Sequence, residues 1–189
     1  MTAIATTTTD ARKSSQRWAP SAGRTITVDL LARKGPAELA ALYREGTPPR
    51  LADLDGAPQG RMLAWVGSLG EGRARRVVGR VARSSLFPWG GKSFESVDDG
   101  RGKGINRVRL LGNLFPFETR FGPSAVDGRP SLVLDYDLPA NPWFIRQIHD
   151  ELREVERGVF LGPAMWKAEP APRLVLFFAI QSAVVRSAG

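Results

Sequence analysis

Residues 115–138 read FPFETRFGPSAVDGRPSLVLDYDL, two apolar runs on either side of a polar turn. The pair Asp127-Gly128 is typical of a β-hairpin turn, because such turns need the positive φ angles that glycine adopts easily. In the second run Leu132, Leu134 and Tyr136 alternate with other residues, and a strand puts such residues on one face. The sequence therefore predicts an antiparallel hairpin with the Tyr136 phenol on its apolar face.

The same pattern of short apolar runs separated by turn residues extends from residue 104 to near the end of the chain. Further short apolar or alternating runs lie at 105–112, 158–167 and 173–181, separated by Gly, Pro and Asp. Such spacing is typical of an antiparallel meander, sandwich or barrel. Residues 35–46 open with glycine and proline, end at glycine and predict a helix. We therefore expect an α+β fold, mainly antiparallel β.

Composition sets the domain limits, and the periodicity of apolar residues assigns the remaining segments. We interpret residues 1–24, which are rich in Thr, Ser and Ala, as a flexible basic tail, and residues 25–189 as a single β-barrel domain. One or two helices are expected before the strands, and one short helix before the last strands. Four segments complete the assignment: a short strand at 25–33, a strand at 61–67, a helix or twisted strand pair at 71–85, and a helix that opens at Asn141-Pro142.

The composition excludes several kinds of site. The 189 residues include no cysteine and one histidine, so the chain has no disulfide, no thiol nucleophile and no metal site built on thiolates or paired imidazoles. We expect neither a metal nor a cofactor. No apolar run is long enough for a membrane span, and the N-terminus lacks the pattern of a signal peptide. These features favour a cytoplasmic protein, and a homodimer remains open.

The net charge of +8 raises the question of nucleic acid as a partner. Much of the basic charge lies in residues 1–34 and 73–80. The arginines are not interleaved with the aromatic side chains on which single-stranded nucleic acid stacks. We therefore expect a solvated basic face and tail rather than a nucleic-acid site, with a nucleic-acid-associated or ligand-free interaction module as the alternative.

Residues 90–93, GGKS, resemble a phosphate-binding loop only in part. The motif G-x-x-x-x-G-K-[ST] needs glycine at position 86, where the chain has Leu86. The run GRGKG at 100–104 is interpreted as a flexible polar loop. The glycine pair instead predicts a close approach of the backbone beside Trp89, which glycine permits because it has no Cβ.

Tryptophans on separate elements suggest the wall of a pocket. Small barrels with spare interior volume hold one small ligand, and an indole offers an apolar surface with one N–H donor. The alternative is that the rings simply fill the core. Lys92 or Arg146 is expected near a polar end of the ligand. The candidate wall residues are Trp65, Trp89, Tyr136, Trp143 and Trp166.

Three residues are candidates for acid–base chemistry. The Tyr136 phenol would donate to a ligand carbonyl or a developing enolate, and Asp137 or His149 would transfer the proton. The alternatives are a hydrogen-bonded core tyrosine and a structural or exposed histidine. Two surface ion pairs are expected where the segment that opens at Asn141 is helical, Arg146 with Asp150 and Arg153 with Glu156. The alternative for its later part, LREVERG at 152–158, is an extended conformation.

Several motifs resemble a pair of bacterial and fungal lipocalin-like domains of unknown function, one named for a G-x-W-x-G motif and the other its C-terminal companion. Residues 89–94, WGGKSF, match the companion's W-x-G-K-x-F segment, and residues 136–139, YDLP, are similar to its tyrosine–aspartate before a proline. At residues 56–60 this chain reads GAPQG, with proline in place of the motif's tryptophan. The resemblance covers roughly residues 50–182 and implies a calycin-like barrel with a lipophilic ligand. Further matching positions are Phe144, Arg146 and Leu161-Gly162.

The features taken together predict a protein that binds a small hydrophobic molecule in a barrel lumen. A close variant is a cofactor-free cyclase or isomerase of secondary metabolism that uses the same pocket, because orientation of a substrate alone lowers a barrier substantially. The sequence does not separate these two interpretations.

Overall fold

The described part of the chain, residues 25–66 and 89–182 of the computed structural model, folds as one closed antiparallel barrel of eight strands. Each strand pairs with the next in sequence, and β8 pairs back with β1. The predicted α+β class, mainly antiparallel β, is confirmed. The strands are β1 (Gln59–Trp65), β2 (Trp89–Ser96), β3 (Arg101–Val108), β4 (Gly112–Pro123), β5 (Pro130–Asp135), β6 (Ile148–Glu156), β7 (Val159–Trp166) and β8 (Arg173–Gln181).

The hairpin that joins β4 to β5 forms as the sequence predicts. The two strands pair in register down to Pro123 opposite Pro130. Gly128 has a φ of +72°, and the Asp127 carboxylate accepts a hydrogen bond from the backbone N–H of Arg129 at 3.0 Å. The turn chemistry of the Asp-Gly pair therefore sets the register of β5, which ends directly before Tyr136.

Helix α2 (Pro36–Glu45) covers the outer face of the barrel and confirms the predicted helix. Its start is stabilised by the Glu38 carboxylate, which accepts a hydrogen bond from the Gly35 backbone N–H at 3.0 Å. Leu39 and Tyr43 are fully buried against outward-facing side chains of β6, β7 and β8. The protein thus has two apolar layers, one inside the barrel and one between the barrel and the helices.

The segment 25–33 was expected as a strand, and that prediction is wrong. Residues Val28–Leu31 form the short helix α1, and the Thr27 hydroxyl caps it by accepting from the Leu30 N–H at 3.1 Å. A capping threonine outweighs a brief alternation of apolar residues, because four residues fit a helical turn as well as a strand. Leu31 is fully buried in the outer apolar layer.

The short helix expected before the last strands is replaced by turns at residues 143–147. The Asn141 side chain donates to the carbonyl oxygens of Pro116 and Tyr136, both at 2.8 Å, instead of capping a helix. Strand β6 then begins at Ile148. Neither of the two ion pairs expected on a helix forms, because the residues from Ile148 onward point alternately to the two faces of a strand.

The run at 100–104 is not the flexible loop that the sequence predicts, because strand β3 begins at Arg101. The segments predicted at 1–24 and 71–85 lie outside the described residues. Neither helix in the described residues has the length and apolar run that crossing a bilayer requires.

Candidate functional site

A cavity of about 150 Å³ opens inside the barrel, at the end where β1 finishes and β2 begins. Its wall is mostly aromatic and aliphatic, and its polar members are Lys92, Asn106 and Asp150, with the hydroxyl of Tyr136. An apolar pocket with a few convergent polar groups is the usual form of a small-molecule site. The rings that line it belong to Trp89, Phe115, Tyr136, Phe144, Trp166 and Phe178.

A bulge in β2 brings two of these side chains into the lumen. Trp89 and Lys92 are three residues apart, so strict alternation would send them to opposite faces. The register of β2 against β3 shifts between Trp89 and Gly91, where Gly91 has a φ of +120°. A Cβ on Gly60 would lie 2.5 Å from the Trp89 ring. Glycine at 60 and 91 therefore allows the close backbone approach that the sequence predicts beside Trp89.

Lys92 is the centre of the polar cluster, and only 3% of it is exposed. Its ammonium group donates to Asn106 Oδ1 at 3.0 Å, to Asp150 Oδ2 at 2.9 Å, and to the Tyr136 hydroxyl. Three donated bonds to three acceptors use all the protons of an ammonium group. Lys92 and Asp150 therefore form a buried ion pair whose opposite charges balance inside the lumen.

The other polar groups complete the same network. The Tyr136 hydroxyl donates to Asp150 Oδ2 at 3.1 Å and accepts from Asn106 Nδ2 at 3.1 Å. The Trp89 indole N–H donates to Asn106 Oδ1 at 3.1 Å. Among the hydrogen-bonding atoms of this cluster, Asp150 Oδ1 alone has no partner in the described residues.

Burial shifts the pKa values of two members of the cluster. Desolvation lowers the pKa of Lys92 below its ordinary value, although the nearby Asp150 carboxylate acts in the opposite direction. Burial, together with the charge of Asp150, raises the pKa of Tyr136 well above its ordinary value. Tyr136 is therefore a neutral phenol across the physiological range. The Lys92 nitrogen also lies 5.0–5.5 Å from the ring centroids of Trp89, Phe117, Tyr136 and Phe178, where ring faces attract a cation.

Four of the residues proposed from the sequence meet at the cavity: Trp89, Lys92, Tyr136 and Trp166. Trp65 packs against the inner core without lining the cavity.

Four others lie away from it. Trp143 is 60% exposed and contacts Phe144 edge-on, and Arg146 forms an exposed ion pair with Asp137 at 2.6 Å. His149 points to the outer face of β6, where its Nε2 lies 3.0 Å from Glu151 Oε1. The structure therefore does not bring Tyr136, Asp137 and His149 together.

Strand parity explains which residues the sequence analysis missed. Ile148, Asp150 and Leu152 share the inner face of β6, and His149 and Glu151 share the outer face. Assigning this segment to a helix concealed Asp150. The segment IHDEL does not alternate, because three polar residues lie between Ile148 and Leu152, so its pattern gave no signal for Asp150. Asn106 had no signal either, because polar and apolar residues around it do not alternate cleanly.

A second buried polar network joins helix α2 to the barrel. The Glu151 carboxylate accepts from the Tyr43 hydroxyl at 2.5 Å, the Ser124 hydroxyl at 2.5 Å and the Ala125 N–H at 2.7 Å. Burial acts to raise the pKa of Glu151, but hydrogen bonds from His149, Ser124 and Tyr43 outweigh it and hold that pKa below its ordinary value. The acid rather than the imidazole is central, so this network positions the helix and is not a hydrolase triad.

Groups of three or more His, Asp or Glu side chains able to hold a metal ion are absent from residues 25–66 and 89–182. The sequence matches no protein-family model and no curated protein. The chain is similar to a solved structure described as "Crystal structure of protein from Thermomonospora curvata", with a TM-score of 0.47 and 18% sequence identity. The alignment covers 79% of this chain and 88% of that one.

Proposed function

We propose that this protein binds one small, mainly apolar organic molecule inside the barrel. The observation that carries the proposal is the cavity of about 150 Å³, whose apolar wall surrounds a single buried polar cluster. A cavity of this volume holds a molecule the size of one aromatic ring. The cytoplasmic location expected from the sequence stays a prediction, and a homodimer stays open.

The expected affinity is modest. An aromatic ring buries about 150–250 Å² of surface, worth about 5 kcal/mol of transfer free energy at about 25 cal/mol per Å². Part of that is offset by the lost freedom of the ligand. A ring without polar groups should therefore bind with a dissociation constant on the order of 1 mM.

Methionine methyl groups offer a direct test. The chain has three methionines, of which Met62 and Met165 line the cavity. In protein labelled with ¹³C at the methionine methyls, toluene should shift the signals of Met62 and Met165. If no compound in a panel of one-ring molecules shifts either signal, the lumen is not a binding site.

A matched pair of variants separates binding in the lumen from binding elsewhere. Ala164 lines the cavity, so Ala164→Phe should fill it and abolish the methyl shifts. Ala52 lies on the surface in the single turn of 3₁₀ helix at Leu51–Asp53, so Ala52→Phe should leave them unchanged. Shifts that survive in Ala164→Phe would place the ligand outside the barrel.

A cofactor-free isomerase or cyclase acting in the same pocket is the second candidate. The observation that favours it is the presence of acid and base groups in one water-poor cluster: the Lys92 ammonium, the Tyr136 hydroxyl and the bare Asp150 Oδ1. The test is exchange of the α-protons of acetophenone in D₂O, followed by NMR. Exchange faster than in buffer, and lost in Asp150→Asn, would support the enzyme. A rate equal to buffer alone would leave only the binding function.

A further inference from the structure

The polar cluster offers a ligand one free hydrogen-bond acceptor and no free hydrogen-bond donor. The three protons of Lys92 are donated to Asn106, Tyr136 and Asp150, and the Tyr136 proton goes to Asp150 Oδ2. Asn106 Nδ2 donates to the Tyr136 hydroxyl at 3.1 Å and to the Phe115 carbonyl at 3.3 Å. A ligand carbonyl would therefore find every donor of this cluster already engaged.

Asp150 Oδ1 is the exception. Asp150 is 4% exposed and lines the cavity, yet this oxygen has no hydrogen-bond partner in the described residues. An unpaired buried carboxylate oxygen is unfavourable, and a donor supplied by the occupant of the cavity would relieve the penalty. The occupant therefore needs an O–H or N–H group.

The charge of the cluster limits which ligands fit the cavity. Lys92 and Asp150 balance each other, so a cationic ligand would bring an uncompensated charge into an apolar cavity, and an anion would be repelled by Asp150. We propose that the lumen takes a neutral compound with one apolar ring and a hydroxyl group, such as a phenol, whose O–H donates to Asp150 Oδ1. This inference rests on the proposed lumen site.

p-Cresol and anisole give a matched comparison, because they are isomers that differ in whether the oxygen carries a proton. A hydrogen bond to a charged acceptor corresponds to roughly tenfold to hundredfold in affinity. In the full-length protein, p-cresol should bind at least tenfold more tightly than anisole, as followed by the Met62 and Met165 methyl signals. Benzylamine, which is cationic at pH 7, should bind more weakly than p-cresol.

Removing the ion pair as a unit tests the acceptor. In Lys92→Met/Asp150→Leu the freed Tyr136 hydroxyl can donate to either isomer, so the preference for p-cresol should fall to about one while toluene still binds. The matched control is the same pair of changes on the outer surface, Lys167→Met/Asp135→Leu. Both of these side chains are partly exposed, so solvent screens their ion pair and little stability depends on it. That control should keep the preference.

The outcomes separate the inference from the function on which it rests. If toluene, anisole and p-cresol bind wild type within twofold of one another, the lumen site stands and the hydroxyl ligand is refuted. A preference that persists in the folded lumen variant would also refute it, because the hydroxyl would then bind elsewhere. If none of the three binds, the proposed function itself fails. Should the lumen variant lose its dispersed methyl signals through unfolding, the comparison in wild type decides.

Discussion

Replacing Asp150 by leucine removes the counter-ion of Lys92 and leaves the lysine inside the barrel. Both side chains are almost fully buried, and the nitrogen and Asp150 Oδ2 are 2.9 Å apart. Breaking a buried ion pair by removing one partner destabilises a protein by about 3–5 kcal/mol, because the other charge stays desolvated. Lys92 can instead lose its proton. Deprotonating a lysine that has an ordinary pKa in the unfolded chain costs about 5 kcal/mol at pH 7, and this value is the upper limit of the destabilisation. We expect Asp150→Leu to lower the free energy of unfolding by 3–5 kcal/mol.

Replacing both partners should cost much less. In Lys92→Met/Asp150→Leu no charge is buried, and the main loss is the acceptor of the Tyr136 hydroxyl, worth about 1–3 kcal/mol. The double variant should therefore be more stable than Asp150→Leu alone, although it carries one more substitution. Because about 1 kcal/mol corresponds to about 2–4 °C for a chain of this size, the two should differ by several degrees in Tm.

The dependence on pH gives an independent check of the same cause. A buried lysine with a lowered pKa releases its proton in the folded protein before it does so in the unfolded chain. The unfolded state then binds more protons, so stability rises with pH up to the ordinary lysine pKa of 10.5. The rise of stability with pH should be steeper in Asp150→Leu than in wild type. The double variant has no lysine at position 92, so it should lack this contribution.

Urea unfolding followed by circular dichroism at pH 7 and pH 9 measures all three proteins. The loss of unfolding free energy caused by Asp150→Leu should be smaller at pH 9 than at pH 7, by as much as about 1.4 kcal/mol for each pH unit. If Asp150→Leu loses less than about 1 kcal/mol at pH 7, or if the double variant is no more stable than the single one, Lys92 is not a buried charge paired with Asp150.

Three other measurements address the rest of the structure. Gly60→Ala would place a Cβ 2.5 Å from the Trp89 ring and should destabilise the barrel by about 1–3 kcal/mol in urea unfolding, whereas Gly100→Ala on the surface should change it little. The pKa of Glu151 is held below its ordinary 4.5, so the stability that its carboxylate contributes is present above pH 4.5 and is lost as the pH falls further. Urea unfolding at pH 5 and pH 3 should therefore show a smaller drop in the free energy of unfolding for Glu151→Gln than for wild type. Trp143→Ala should leave the toluene titration unchanged, since Trp143 is exposed and outside the cavity.

The sequence was most informative where local chemistry and the fold agree. The Asp127-Gly128 turn and the alternation through Leu134 and Tyr136 correctly predicted the hairpin and the inward-facing phenol, because turn type fixes register and register fixes the face of each residue. Trp89 and Lys92 were proposed for the pocket on separate grounds. That both face the lumen depends on the bulge at Gly91, which periodicity alone does not predict.

The partner of Lys92 could not be identified by the same means. Lys92 and Asp150 lie on strands 58 residues apart in sequence, and their contact exists only because the sheet closes into a barrel. The helical assignment of the segment that carries Asp150 also made its carboxylate a surface group. Charged residues are seldom fully buried, so exposure was the expected state and burial the exception.

Strand β6 connects the candidate site to the rest of the fold through two adjacent acids. Asp150 faces the lumen and pairs with Lys92, while Glu151 faces outward and accepts bonds from Tyr43 and Ser124. A slip of one residue in this strand would exchange the two faces and leave both carboxylates buried without their partners. The same register therefore holds helix α2 on the outside and Asp150 at the cavity inside. A variant that loosens the Tyr43–Glu151 contact should therefore weaken binding in a lumen that it does not touch.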